Sequence, residues 1–147
     1  MNTDNLIAQA STTVAAPVAA VWQALTTPTL IKQYMFGTDV VSDWREGSPI
    51  VWRGEVNGRR YEDKGTILKL VPSHMLQYSH YSPLSGLPDE PQNYHTVTIE
   101  MVGQGTLTHL SLSQDGSGSV EERNHSAKNW AMMLQGLKEL VEKKRTS

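Results

Sequence analysis

Tyr78, His80 and His95 are the side chains whose types and spacing suit proton transfer or polar ligand contact. Side chains alternate along a strand, so a strand from Met75 to Tyr81 carries Leu76, Tyr78 and His80 on one face. A strand from Tyr94 to Val102 likewise carries His95, Val97, Ile99 and Met101 on one face. If the two pair in symmetrical register, His80 falls opposite His95 and Tyr78 opposite Val97. An imidazole titrates near neutral pH and burial moves it further, so these groups together can serve as acid and base. The plainer account of each is a hydrogen-bonded residue of a pocket wall. The pattern favours ligand contact over turnover, and no catalytic residue is assigned.

Trp52 shares a strand face with Ile50 and Val56 and is placed to line the same space. From the last helix Trp130 points toward the sheet, where a large ring either shrinks a cavity or stacks on a flat ligand. Met35, Met101, Met132 and Met133 add adaptable apolar surface. The expected ligand-binding set is therefore Trp52, Tyr78, His80, His95, Val97, Trp130 and Met133. For a metal, His80, His95, His109, Asp63 and Glu100 are the right types, but no ligand motif links them. Gly-rich phosphate loops and Gly-x-Ser-x-Gly are absent, and Gly116-Ser-Gly-Ser reads as a linker into the last helix. The chain has no cysteine, which excludes disulfides, thiolate zinc and a cysteine nucleophile. Neither a metal nor a cofactor is expected.

The elements that must position these residues are legible from punctuation. A first strand, Leu6 to Ala15, gives way at Pro17 to a helix with Val18, Val21, Trp22 and Leu25 on one face. Thr27-Pro28 stops that helix and starts a second carrying Ile31, Tyr34 and Met35. Six strand-like runs follow: Asp39 to Trp44, Ile50 to Val56, Arg60 to Leu70, Met75 to Tyr81, Tyr94 to Val102 and Thr106 to Ser113. Asn57-Gly58 is a two-residue hairpin signal and Gly103-Gln-Gly105 marks a second reversal. Ser82 to Asn93, with Pro83, Pro88 and Pro91, reads as a mobile loop without regular structure. Ser119 and Glu122 form a capping box opening a helix that runs to Lys144. Its stripe of Ala127, Trp130, Leu134, Leu137 and Val141 extends about 37 Å, long enough to close the concave side of a curved sheet.

At 147 residues with a formal charge of −2, the chain is expected to be one domain spanning residues 1–147. Beyond Lys143, Lys144 and Arg145 there is no basic cluster, so nucleic acid is not an expected partner. No apolar run approaches the roughly 18 residues of a membrane span, and Met1 to Asn5 lack a basic leader, so the expected location is cytoplasmic.

The order of elements, with Ala16-Pro17-Val18-Ala19-Ala20-Val21-Trp22-Gln23-Ala24-Leu25-Thr26 near the start, resembles the SRPBCC superfamily of START-like, birch-pollen-allergen-like proteins. Val21 to Thr26 with Pro28, Ile31 and Tyr34 resembles one branch more narrowly. Gly65-Thr66-Ile67-Leu68 running into Pro72, then Gly105-Thr106, Asn129-Trp130 and Leu134 to Leu137, fit the same branch. It is named after the activator of the heat-shock protein 90 ATPase. The branch usually has Trp where Tyr34 stands and often Gly where Asn129 stands. What the resemblance implies is an α+β helix-grip fold, a curved seven-stranded antiparallel sheet around a long C-terminal helix. It also implies a pocket for a hydrophobic small molecule. Relatives that are cyclases or dehydratases make a pocket enzyme with a His/Tyr acid and base the alternative. The namesake makes a chaperone partner the further one, and a homodimer is also compatible.

Overall fold

A computed structural model describes residues 6–146. Met1 to Asn5, on which the expected location partly rests, lie outside the described residues. Seven strands form one antiparallel sheet: β1 (Leu6–Val14), β2 (Asp39–Ser42), β3 (Pro49–Val56), β4 (Arg59–Val71), β5 (Met75–His80), β6 (His95–Gln104) and β7 (Leu107–Ser117). Helices α1 (Val18–Thr26) and α2 (Pro28–Tyr34) follow β1, and α3 (Val120–Thr146) ends the described chain. The spatial order is β1-β7-β6-β5-β4-β3-β2, so the first strand pairs with the last and the rest form a meander. This is the expected helix-grip arrangement.

Period-two alternation explains how the sheet faces its core. Ile50, Trp52, Ile67, Leu76, Tyr78, Val97, Ile99, Leu110 and Leu112 are buried in a single cluster with Leu134, Leu137 and Val141 of α3. The α3 stripe thus covers the concave face, as its 3.6-residue spacing requires. Asn57 and Gly58 take φ of 51° and 79°, the left-handed pair that a tight hairpin between twisted strands needs.

Several boundaries move. β2 ends at Ser42, and Trp44 lies beyond it in a left-handed turn at φ 55°, its N–H bonded to Ser42 Oγ at 3.0 Å. Met35 caps α2 rather than continuing it. The second reversal is Gly105-Thr106, since Gln104 already pairs with Leu107. β7 runs on through Gly116 and Ser117, so only Gly118 and Ser119 link it to α3. Ser119 Oγ accepts the Glu122 N–H at 3.1 Å, but the Glu122 carboxylate accepts from Gly118 N–H, one residue earlier than a capping box would have it.

The Ser82 to Asn93 connection is more structured than its proline content implies. It holds two short 3-10 turns, Pro83–Ser85 and Pro91–Asn93. Tyr81 and Tyr94 stack at its base with ring centroids 5.3 Å apart. The Tyr81 hydroxyl donates to Leu87 O at 2.6 Å. Asp89 pairs with Lys64 and takes one hydrogen bond from the Tyr94 hydroxyl, which in that order hold its carboxyl below the usual range. Prolines fix φ without forbidding 3-10 turns, and side chains supply the missing ties.

β1, an outer strand, has its edge covered from α3. The Glu142 carboxylate accepts the Ala15 N–H at 2.8 Å, while Lys138 donates to Thr13 O at 2.8 Å and to Glu142. Unpaired edge groups invite pairing with other chains, and this staple satisfies two of them. The Lys138 ammonium first, then the Ala15 N–H, hold the Glu142 carboxyl below its ordinary range. A carboxyl lowered by folding stabilises fully above its unfolded pKa and loses that contribution as pH falls through the folded value. Glu142→Ala is therefore expected to speed hydrogen exchange of the Ala15 amide at neutral pH. Below roughly pH 4 the difference from the parent protein should shrink; equal exchange at neutral pH would show the staple to be idle.

Candidate ligand-binding cleft

At the centre of the concave face, Trp52 of β3 meets Tyr78 of β5 with ring centroids 5.1 Å apart. Leu25, Ile31, Tyr34, Met35, Val40, Trp44, Ile50, Leu76, Ile99 and Met133 complete a crevice of about 30 Å³ around them. That volume is near what one water occupies, so the interior is almost filled. Tyr34, where the branch usually has Trp, donates its hydroxyl to Ala24 O at 2.7 Å. Burial pushes the Tyr34 phenol far up, helped by Tyr78, and burial alone does the same for Tyr78. Both stay neutral at physiological pH and act as donors or acceptors, not as phenolates.

Toward the start of α3 the crevice opens into a groove of about 270 Å³, lined by Met35, Phe36, Thr38, Tyr61, Gln114, Ser126, Asn129, Trp130 and Met133. Met35 and Met133 belong to both spaces. Two polar contacts are built into the groove wall. Tyr61 and Thr38 share a hydroxyl–hydroxyl bond of 2.7 Å, and Trp130 Nε1 donates to Gln114 Oε1 at 2.6 Å, which fixes the indole plane. Gly54 leaves the room for Tyr61, since a Cβ there would lie 2.4 Å from the Tyr61 hydroxyl.

Phe36 forms the rim and is 81% exposed. Its φ is 54°, a left-handed conformation that costs a bulky L-residue roughly 1–2 kcal/mol. The Gly37 N–H bonds Lys32 O at 3.0 Å, the long return bond that closes a helix over a left-handed residue, a place usually given to glycine.

The expected site residues do not all come together. Trp52, Tyr78 and Met133 line the crevice, and Trp130 with Met133 lines the groove. Val97 pairs with Tyr78 as anticipated but is buried core, and lines neither. His80 and His95 are directly paired in register, yet their rings go different ways. His80 bonds Asp63 Oδ2 through Nε2 at 2.9 Å and packs edge-on against Trp52 at 5.0 Å. His95 Nδ1 lies 2.9 Å from Asp115 O and its ring faces a separate hollow with Ser117, Glu121 and His125. Phe36, Thr38, Tyr61 and Gln114 were outside the expected set. Only Phe36 and Tyr61, as aromatics near turn signals, left a trace in the sequence. Among the described residues no three His, Asp or Glu side chains converge on a metal site, and no helix is long and apolar enough to cross a membrane.

Residues 15–142 match the family described as activator of Hsp90 ATPase homolog 1-like protein, AHSA1. The chain belongs to this family. The AHSA1-like chain is similar to ChR145 from Cytophaga hutchinsonii, a solution structure 52% identical over 96% of this chain and 97% of that one, with a TM-score of 0.84. It shares its fold with the Aha1 dimer from Colwellia psychrerythraea, at 19% identity, 92% and 96% coverage and a TM-score of 0.72. DynU16, from the dynemicin biosynthetic locus, has the same fold at 18% identity and a TM-score of 0.76, over 96% of this chain and 48% of that one. No curated protein matches the sequence.

Proposed function

We propose that this AHSA1-like protein binds a flat, mainly apolar small molecule of one or two rings at the mouth between sheet and α3. The observation that carries the reading is the groove of about 270 Å³ walled by Met35, Phe36, Tyr61, Trp130 and Met133. It sits just below the ~300–1,000 Å³ typical of small-molecule sites, with a few fixed polar groups among apolar walls. The filled crevice argues for a ligand held at the mouth, not swallowed whole. DynU16 comes from the dynemicin biosynthetic locus, which is compatible with such a role for this fold.

Two measurements test this. Native mass spectrometry of protein purified from its own host should show a stoichiometric adduct that denaturation releases as an aromatic or lipid-like compound. A panel of such compounds should also raise the melting temperature by mass action; no adduct together with no shift across the panel would refute binding.

Phe36→Gly separates ligand contact from stability. Relief of the left-handed strain, about 1–2 kcal/mol, is opposed by the extra unfolded-state freedom of glycine, about 0.5–1 kcal/mol. Stability should stay level or rise by up to about 1.5 kcal/mol while ligand affinity falls. A variant that binds as tightly as the parent would remove Phe36 from the site.

A further inference from the structure

We infer that His80, oriented by Asp63, is the hydrogen-bond acceptor of the cleft and selects aromatic ligands that carry a hydroxyl or N–H donor. The inference rests on the proposed cleft-binding reading and names the ligand class within it. Asp63 lies opposite Trp52 in the β3–β4 pairing and two residues beyond Tyr61, so all three share the concave face. Trp52 touches Tyr78 of the crevice and also His80, with ring centroids at 5.1 Å and 5.0 Å. Tyr61 lines the groove, and Asp63, two residues along the same strand face, holds His80 just beyond that lining, so a ring in the groove that reaches past Tyr61 brings a substituent to the imidazole.

The tautomer follows from the partner. An ionised carboxylate can only accept, so the 2.9 Å contact places a proton on His80 Nε2, and in the neutral imidazole that leaves the lone pair on Nδ1. Among the described residues Nδ1 has no hydrogen-bond partner, and the His80 side chain is 29% exposed against 15% for Asp63. With a neutral imidazole the accessible group of the pair is thus an acceptor. His95, directly across the sheet, sends its own Nδ1 to Asp115 O and does not compete. Asp63 Oδ1 is buried with no hydrogen-bond partner among the described residues. Keeping a half-satisfied carboxylate under cover costs stability, and here its one bond goes to the imidazole, the part of the pair a ligand can reach. Asp63 is a positioning residue and His80 is the contact.

The test compares naphthol, methoxynaphthalene and naphthalene, which share a ring system and differ in donor and acceptor. Binding is followed by tryptophan fluorescence to the parent protein, His80→Phe and Asp63→Asn. The parent should hold naphthol about tenfold tighter than the other two, the value of one buried hydrogen bond. His80→Phe should lose that preference while still binding naphthalene. An asparagine side chain can present either oxygen or nitrogen to Nε2, so Asp63→Asn should bring naphthol and methoxynaphthalene together. Nitrogen-15 NMR should show the parent His80 protonated at Nε2 and the variant as a mixture of tautomers. If all three compounds bind the parent alike, the acceptor role is overturned and the cleft stands. If none binds, the cleft reading falls and takes this inference with it. Full discrimination in Asp63→Asn would overturn the part assigned to Asp63.

Discussion

Gly65→Ala is expected to destabilise the fold by about 3 kcal/mol or more, the upper end of what overpacking does. A Cβ at this position would lie 1.7 Å from the Ser79 carbonyl oxygen and 2.6 Å from its carbon. Both are backbone atoms, so no side chain can swing aside. The strands press together here because their ladder is irregular: the β4–β5 register shifts between Ile67 and Lys69, and the Thr66 N–H bonds Ser79 Oγ instead of a carbonyl. On the far side a single bridge joins Lys64 and Tyr81, with bonds of 3.0 and 2.8 Å. Asp63 and His80 flank this point, so the methyl group should also disturb their contact. Gly54→Ala is the control, because the clash there is with the end of the Tyr61 side chain, which can rotate away at the expense of its Thr38 bond. Urea unfolding should rank Gly65→Ala well below Gly54→Ala, and equal midpoints would mean the strands are not this close.

The second large effect is expected from Trp52→Ala, at about 3–5 kcal/mol. Trp52 is buried, belongs to the main core cluster and contacts Tyr78 and His80. Deleting the indole should turn a crevice of about 30 Å³ into a true cavity, since close-packed walls relax only partly. Apolar cavities of that kind take up small aromatics. Added indole should therefore restore part of the lost stability, rising with concentration as ligand linkage requires. If indole has no effect on the variant, the wall has collapsed and the crevice is softer than its packing indicates. Tyr34→Phe should not respond to indole, because it removes only a hydroxyl bonded to Ala24 O.

The fold was legible because it is written in local punctuation and alternation. Pro17, Thr27-Pro28 and Asn57-Gly58 each act within a few residues, and the register that sets His80 against His95 follows once two alternating strands are joined by a loop. The cleft was only half legible. That Trp52, Tyr78, Trp130 and Met133 line the crevice or groove could be anticipated because large apolar side chains at core-facing positions must meet somewhere. Where rings turn was not, because rotamers depend on neighbours distant in sequence: Asp63 draws His80, and Asp115 draws His95. The left-handed Phe36 and Trp44 were hidden for a related reason, since neither residue favours that conformation and the surrounding turn imposes it. Cavity volume is a small remainder after many side chains are packed, and no pattern along the chain reports it.

The pairing of β1 with β7 also bears on how the molecule is made. Ala10 lies beside Leu112, so β1 leaves the ribosome and waits about a hundred residues for its neighbour. At about 5–20 residues per second that is roughly 5–20 s. Through that interval β2 to β6 can assemble as hairpins, leaving the nascent β6 edge open. The sequence of the waiting strand, LIAQASTTV, suits the delay: Gln9, Ser11, Thr12 and Thr13 make it a poor seed for cross-β stacking between chains on one polysome. Only after β7 is laid down can β1 and its α3 staple lock together.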